Sequence, residues 1–192
     1  TQQKEVKLKQ LTIGNEYYFM ISNSDTMRPF FMSIVSDSNH WMFISSNGGL
    51  TAGRKNSDLA LFPYYTDDKI TESVEVTGSK TIFRIKKNNT IYLWEPFSER
   101  YEGMYSITRN LYKNLYANKI IFEEINHDLE LTFQYQWNSS GVYGFVRKST
   151  LINKNPVQIE IAILDGIQNI MPFGVSSDLQ NQSSNLVDAY KR

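Results

Sequence analysis

"LELTFQYQW", residues 129–137, alternates without a break: Leu129, Leu131, Phe133, Tyr135 and Trp137 share one parity, and Glu130, Thr132, Gln134 and Gln136 share the other. Successive strand side chains point to opposite faces, so the segment predicts a half-buried antiparallel strand with an aromatic inner face. "VQIEIAIL", residues 157–164, repeats the pattern with Val157, Ile159, Ile161 and Ile163 opposite Gln158, Glu160 and Ala162. Leu164 breaks the alternation and predicts partial cover of the second face, which two packed layers of sheet would supply.

Turn chemistry punctuates the rest of the chain. "SDSN" lies between "FFMSIV" and "WMFIS", "TGS" precedes "KTIFRI", "KKNNT" precedes "IYLWEPF", and "NKNP" precedes "VQIEI". Short β-rich runs at intervals of roughly 8–12 residues predict an all-β chain of hairpins forming a large antiparallel two-sheet sandwich. No stretch before residue 175 carries a helical period, and "ERYEGMYSITRNLYKNLY" reads equally well as a helical turn or an irregular connection. After "MPFG" the composition turns to Ser, Asn and Gln, and "LVDAYKR" reads as a helix just beginning, with Ser184 or Asn185 as its cap. The chain thus divides into a sandwich over 1–174 and, over 175–192, a linker leading to a further domain.

The totals narrow the function. The 192 residues are enough for one domain with its own core, and 20 basic residues balance 20 acidic ones. A chain without net charge lacks the electrostatic footprint that nucleic acid or an anionic membrane selects, so neither is an expected partner. No apolar run approaches the roughly 18 residues needed to span a bilayer, and a soluble chain is expected. The absence of cysteine removes disulfide and thiolate chemistry but leaves the compartment open.

The stretch "SSNGGLTAGRKNSDLALFPYYTDD", residues 45–68, concentrates the unusual residues. It has the glycines of a phosphate loop, but no helix pattern follows "NGGLTAGRK". "TGSKT" at 77–81 lacks the upstream glycine of a P-loop, because position 73 is Ser. Asp67 and Asp68 are adjacent, so on an extended segment they point apart and cannot flank one glycosidic bond. His40 and His127 have no companion at metal-ligand spacing, and no nucleophile elbow is present. No metal and no cofactor is expected. What remains is a mixture suited to sugar: tyrosine faces for pyranose rings, and Asp, Asn and Arg for vicinal hydroxyls. Arg54, Tyr64, Tyr65, Asp67, Asp68, Trp94 and Arg109 are the candidate carbohydrate-binding or interdomain residues, with Tyr64, Tyr65 and Trp94 as a stacking platform. The competing reading makes Phe62, Tyr64 and Tyr65 core aromatics beside a bend at Pro63.

Three segments carry a family resemblance: "SNGGLTAGRKNSDLALFPYYTDDKI", "RNLYKNLYANKIIFEEINHDLELTFQYQW" and "LDGIQNIMPFGVSSDLQNQSSNLVDAYKR". From about Gly14 to Arg192 the chain resembles the N-terminal region of large bacterial proteins related to cellobiose phosphorylase and other inverting glycoside phosphorylases. The resemblance implies a galactose mutarotase-like β-supersandwich, followed by a helical linker and an (α/α)6 barrel. It also implies that the general acid and phosphate site belong to the barrel, so that this chain is non-catalytic, packs on the barrel, borders its sugar site and contributes to dimer contacts. Carbohydrate and that barrel are the implied partners, and the surface around 45–68 and 165–192 is expected to be apolar. The family's supersandwich is usually longer, which implies a shortened or missing strand here. An independent carbohydrate-binding module is the alternative, and a mutarotase-type epimerase a further one.

Overall fold

The computed structural model describes residues 4–66 and 68–183, with Asp68 described by its backbone alone. Asp67, the Asp68 side chain and the helix start expected at "LVDAYKR" lie outside the described residues.

Twelve strands run through the described residues: β1 Lys7–Ile13, β2 Glu16–Ser22, β3 Phe31–Ile34, β4 His40–Ser45, β5 Leu50–Arg54, β6 Gly78–Lys87, β7 Thr90–Trp94, β8 Ile107–Asn114, β9 Lys119–Asn126, β10 Leu131–Ser140, β11 Gly144–Asn153 and β12 Glu160–Gln168. The first layer is a six-stranded sheet in the order β1-β2-β8-β9-β10-β11. Facing it are two three-stranded sheets, β12-β6-β7 and β3-β4-β5. Every pairing is antiparallel. The protein is therefore an all-β sandwich whose second layer is split in two. That layer is built mostly by the excursion from β3 to β7, made between the hydrogen-bonded neighbours β2 and β8, and is completed when β12 pairs with β6.

The 129–137 segment behaves as its alternation requires. Leu129, Leu131, Phe133, Tyr135 and Trp137 are all buried, joined in one core with Met42, Ile44 and Leu50 from one facing sheet and Phe83, Ile85 and Trp94 from the other. Phe83 meets Phe133 edge-on at 5.2 Å, and Tyr135 stacks on Phe122 at 4.8 Å. Burial of such side chains is worth about 1.5–3 kcal/mol each. The β6–β7 hairpin closes on Asn88 and Asn89, both at positive φ (50° and 60°), the conformation a two-residue primed turn demands.

Three expectations need correction. Leu164 is 69% exposed, because β12 is an edge strand and Leu164 stands beside Ile82 on the face turned away from the core. Residues 107–114, read as a helical turn or irregular connection, form strand β8. A short helix, α1 (Asp68–Glu72), precedes residue 175; five residues are too few to show a period.

The glycines at 48 and 49 serve close packing. Gly48 sits at φ 101°, and a Cβ there would lie 2.7 Å from the Tyr135 hydroxyl. A Cβ on Gly49 would lie 2.0 Å from the carbonyl of Ile70 in α1. The loop is thus pressed between β10 and α1. After β12, residues 169–183 run back along the loop after β5. Met171 N–H donates to the Leu61 carbonyl (2.8 Å), and Ser177 N–H and Oγ donate to Asp58 (2.9 and 2.7 Å). The second helix, α2 (Ser177–Gln182), is capped by Ser176 Oγ, and Gln180 bonds both backbone groups of Tyr64.

Candidate functional site

The structure divides the sequence-predicted residues into two groups. Trp94 and Arg109 converge on a carboxylate that the sequence reading passed over. Glu124, on β9 with the inward parity of Ile120 and Phe122, is 2% exposed. It accepts from Trp94 Nε1 (2.8 Å), from the Phe97 backbone N–H (2.7 Å) and from Arg109 Nε (2.8 Å). Arg109 is its direct cross-strand neighbour on β8. A buried carboxylate needs such partners, since isolated it would cost several kcal/mol. Trp94 is itself 2% exposed and packed against Phe83 at 5.2 Å, so it offers no face to a ligand. Its place in the stacking platform is corrected: it is a core residue that orients Glu124.

Arg109 is thereby held at the wall of a cleft of about 250 Å³ lined by the loops after β2, β4 and β7. Its Nη2 donates to the Ser98 carbonyl (3.2 Å), and its guanidinium lies 6.0 Å from the Phe97 ring centroid. Phe97 and Phe122 give the cleft apolar lining, while Ser24, Asp25, Asn47 and Glu99 give it polar lining. Asn47 comes from the glycine loop singled out in the sequence. Its Nδ2 donates to the Thr71 carbonyl (3.0 Å) and its Oδ1 accepts from Gly49 N–H (3.2 Å), so the amide is fixed.

The 97–99 wall is fixed as well, at some cost. Phe97 has φ 65°, a conformation disfavoured for a bulky side chain by about 1–3 kcal/mol. It is over-determined by the bond to Glu124 and by ring contacts with Phe122, Phe133 and Tyr135. Glu75 then holds the following residues, accepting from Glu99 N–H (2.7 Å) and Ser98 Oγ (3.2 Å). Burial pushes the Glu75 carboxyl up, but those bonds and Lys80 outweigh it and hold the group below the usual carboxylate range.

The second group lies on the sheet β3-β4-β5. Arg54 ends β5, exposed and opposite His40. Tyr64 is 37% exposed and meets Trp41 edge-on at 5.7 Å, with Gln180 of α2 on its backbone. Tyr65 is half-buried beside it, and Phe62 is fully in the core. The strap over residues 169–183 adds exposed Ile170, Phe173 and Leu179, interspersed with exposed Asp178, Asn181 and Gln182. Arg54 and Tyr64 therefore belong to a surface separate from the Arg109 cleft. The sequence did carry a signal for Glu124: a charge at core parity inside the apolar run "IIFEEI". A scan against protein-family models finds none that matches this chain, and a search of curated proteins finds no match.

Proposed function

We propose that this chain is the non-catalytic N-terminal β-sandwich domain of a carbohydrate-active enzyme of glycoside phosphorylase or hydrolase type. In this reading it is mutarotase-like in fold, packs on a catalytic (α/α)6 barrel of the same parent chain and borders its sugar site. The observation that carries the reading is the set of exposed apolar side chains on the strap. Phe173 is 99% exposed, with Ile170 and Leu179 on the same segment and Tyr64 beside α2. Exposed aromatic and aliphatic side chains gathered on one flank are the mark of a surface that another body covers. Leu164 and the unpaired edge of β12 extend the same argument. The alternative of an independent binding module is weakened by the burial of Trp94, which removes one third of its stacking platform.

The test compares this chain with its parent protein on β-linked disaccharides, with and without inorganic phosphate. The isolated chain is expected to be inert and the parent to release sugar or sugar phosphate. Phe173→Asp in the parent should lower both its activity and its melting temperature. Turnover by the isolated chain, or a parent indifferent to Phe173→Asp, would overturn the reading.

A further inference from the structure

We propose that the cleft bounded by Asp25, Asn47, Phe97, Glu99 and Arg109 is a binding site for a single neutral sugar ring. The inference rests on the carbohydrate reading above and gives it a location apart from the Tyr64 flank.

Size sets the first limit. At about 250 Å³ the cleft falls below the ~300–1,000 Å³ typical of drug-sized ligands, which leaves room for one ring rather than an extended chain. Chemistry sets the second. Phe97, half-buried at the cleft wall, supplies apolar surface for the C–H face of a pyranose, with Phe122 packed in the core behind it. Among the described residues the carboxylates of Asp25 and Glu99 have no hydrogen-bond or ion-pair partner, so both are available to accept from hydroxyls. Arg109 supplies donors from a guanidinium that Glu124 and Ser98 already hold in place. Ordering costs are therefore met before a ligand arrives.

Charge sets the third. Asp25 and Glu99 line the cleft together with one guanidinium, and that guanidinium is already paired with Glu124. A phosphate or a sugar acid would meet net negative charge here. A neutral polyol would instead find two acceptors and a fixed donor, the complement of adjacent hydroxyls. The positive φ of Phe97 fits the assignment: strain retained at a cleft wall is a feature of binding sites, and Glu124 on Phe97 itself with Glu75 on the two residues that follow keep it.

The experiment is an amide NMR titration of this chain with methyl β-glucopyranoside and with cellobiose, using inorganic phosphate as the anionic probe. Saturable shifts are expected for Asn47 and for residues 97–99, with phosphate silent. Asp25→Ala and Glu99→Ala should each weaken binding on the order of tenfold, the usual loss for a hydrogen bond to a charged group, at unchanged melting temperature. Shifts confined to the Tyr64 flank, no shifts with either sugar, or shifts with phosphate alone would overturn the site. Parent turnover separates the two proposals. An active parent with a silent cleft overturns the cleft alone, and an inactive parent with a responsive cleft supports the cleft while overturning the domain reading.

Discussion

Arg109 and Arg147 are both guanidiniums on the six-stranded sheet, each paired with a carboxylate and each near an aromatic ring, yet they are used differently. Arg147, on β11, reaches across the sandwich to Asp165 on β12 with two bonds (3.0 and 2.9 Å), and also donates to Ser79 and Thr81 of β6 (2.9 and 3.0 Å). Thr81 Oγ1 donates in turn to Asp165 (2.6 Å), and the guanidinium lies 5.3 Å from the Tyr135 ring centroid. All three of its nitrogens are engaged, so it works as a staple between layers. Arg109 pairs with Glu124 of its own sheet, which it shares with Trp94 and Phe97, reaches only the Ser98 carbonyl after β7, and among the described residues makes no bond through Nη1. A saturated arginine closes a structure, whereas one held by part of its fork can present the remainder to a ligand.

The largest effect that would break this contrast is expected from Glu124→Ala. It leaves the Trp94 indole, the Phe97 amide and Arg109 without their acceptor in a buried setting, at a cost of about 3–5 kcal/mol by urea denaturation. If the loss were under ~1 kcal/mol, the hub would not be the organiser of the cleft. Arg147→Met, which keeps the stem and removes the fork, should cost about 1.5–3 kcal/mol and leave sugar titrations of the cleft unchanged. Were it to abolish them, staple and site would be one unit.

Acid sharpens the comparison. Burial pushes the Asp165 carboxyl up, but Arg147 foremost, with Thr81 and Ser149, overrides it and holds the group below its ordinary value. A carboxyl depressed in the folded state stabilises the fold above its unfolded pKa of ~3.9 and loses that contribution as pH falls through the lower folded value. Thermal unfolding of the protein and of Asp165→Asn should therefore differ near neutrality and converge in strong acid. A constant gap would mean that the ion pair is not the source. The smallest effect belongs to Asp25→Ala, on an exposed loop, which should alter stability by less than about 0.5 kcal/mol in chemical denaturation while weakening the cleft.

The legibility of the sequence followed the same division. Period-two alternation identified β10 because its inner face is uniformly apolar, and Asn88–Asn89 marked a hairpin because two positive φ values call for that chemistry. Trp94 misled because an aromatic residue at a strand end reads the same whether it turns inward or outward. Only the pairing with Phe83 fixes its direction. Leu164 misled for the converse reason, since nothing local distinguishes a covered face from an edge. The cleft escaped notice because its residues come from six separate segments and meet only through the sheet order. Glu124 was visible as a parity violation, and such violations are where a β sequence most often departs from pure packing.

The pairing of β12 with β6 also has a meaning in time. Gln168 lies against Gly78 and Glu160 against Lys86, so β6 cannot become a central strand until nearly the whole sandwich has been synthesised. Until then the β6–β7 hairpin must wait with one ladder of amides and carbonyls open. Such non-local closure is slow, and the waiting edge invites other chains. On the ribosome, β12, the last of the described strands, is the one that closes that open ladder.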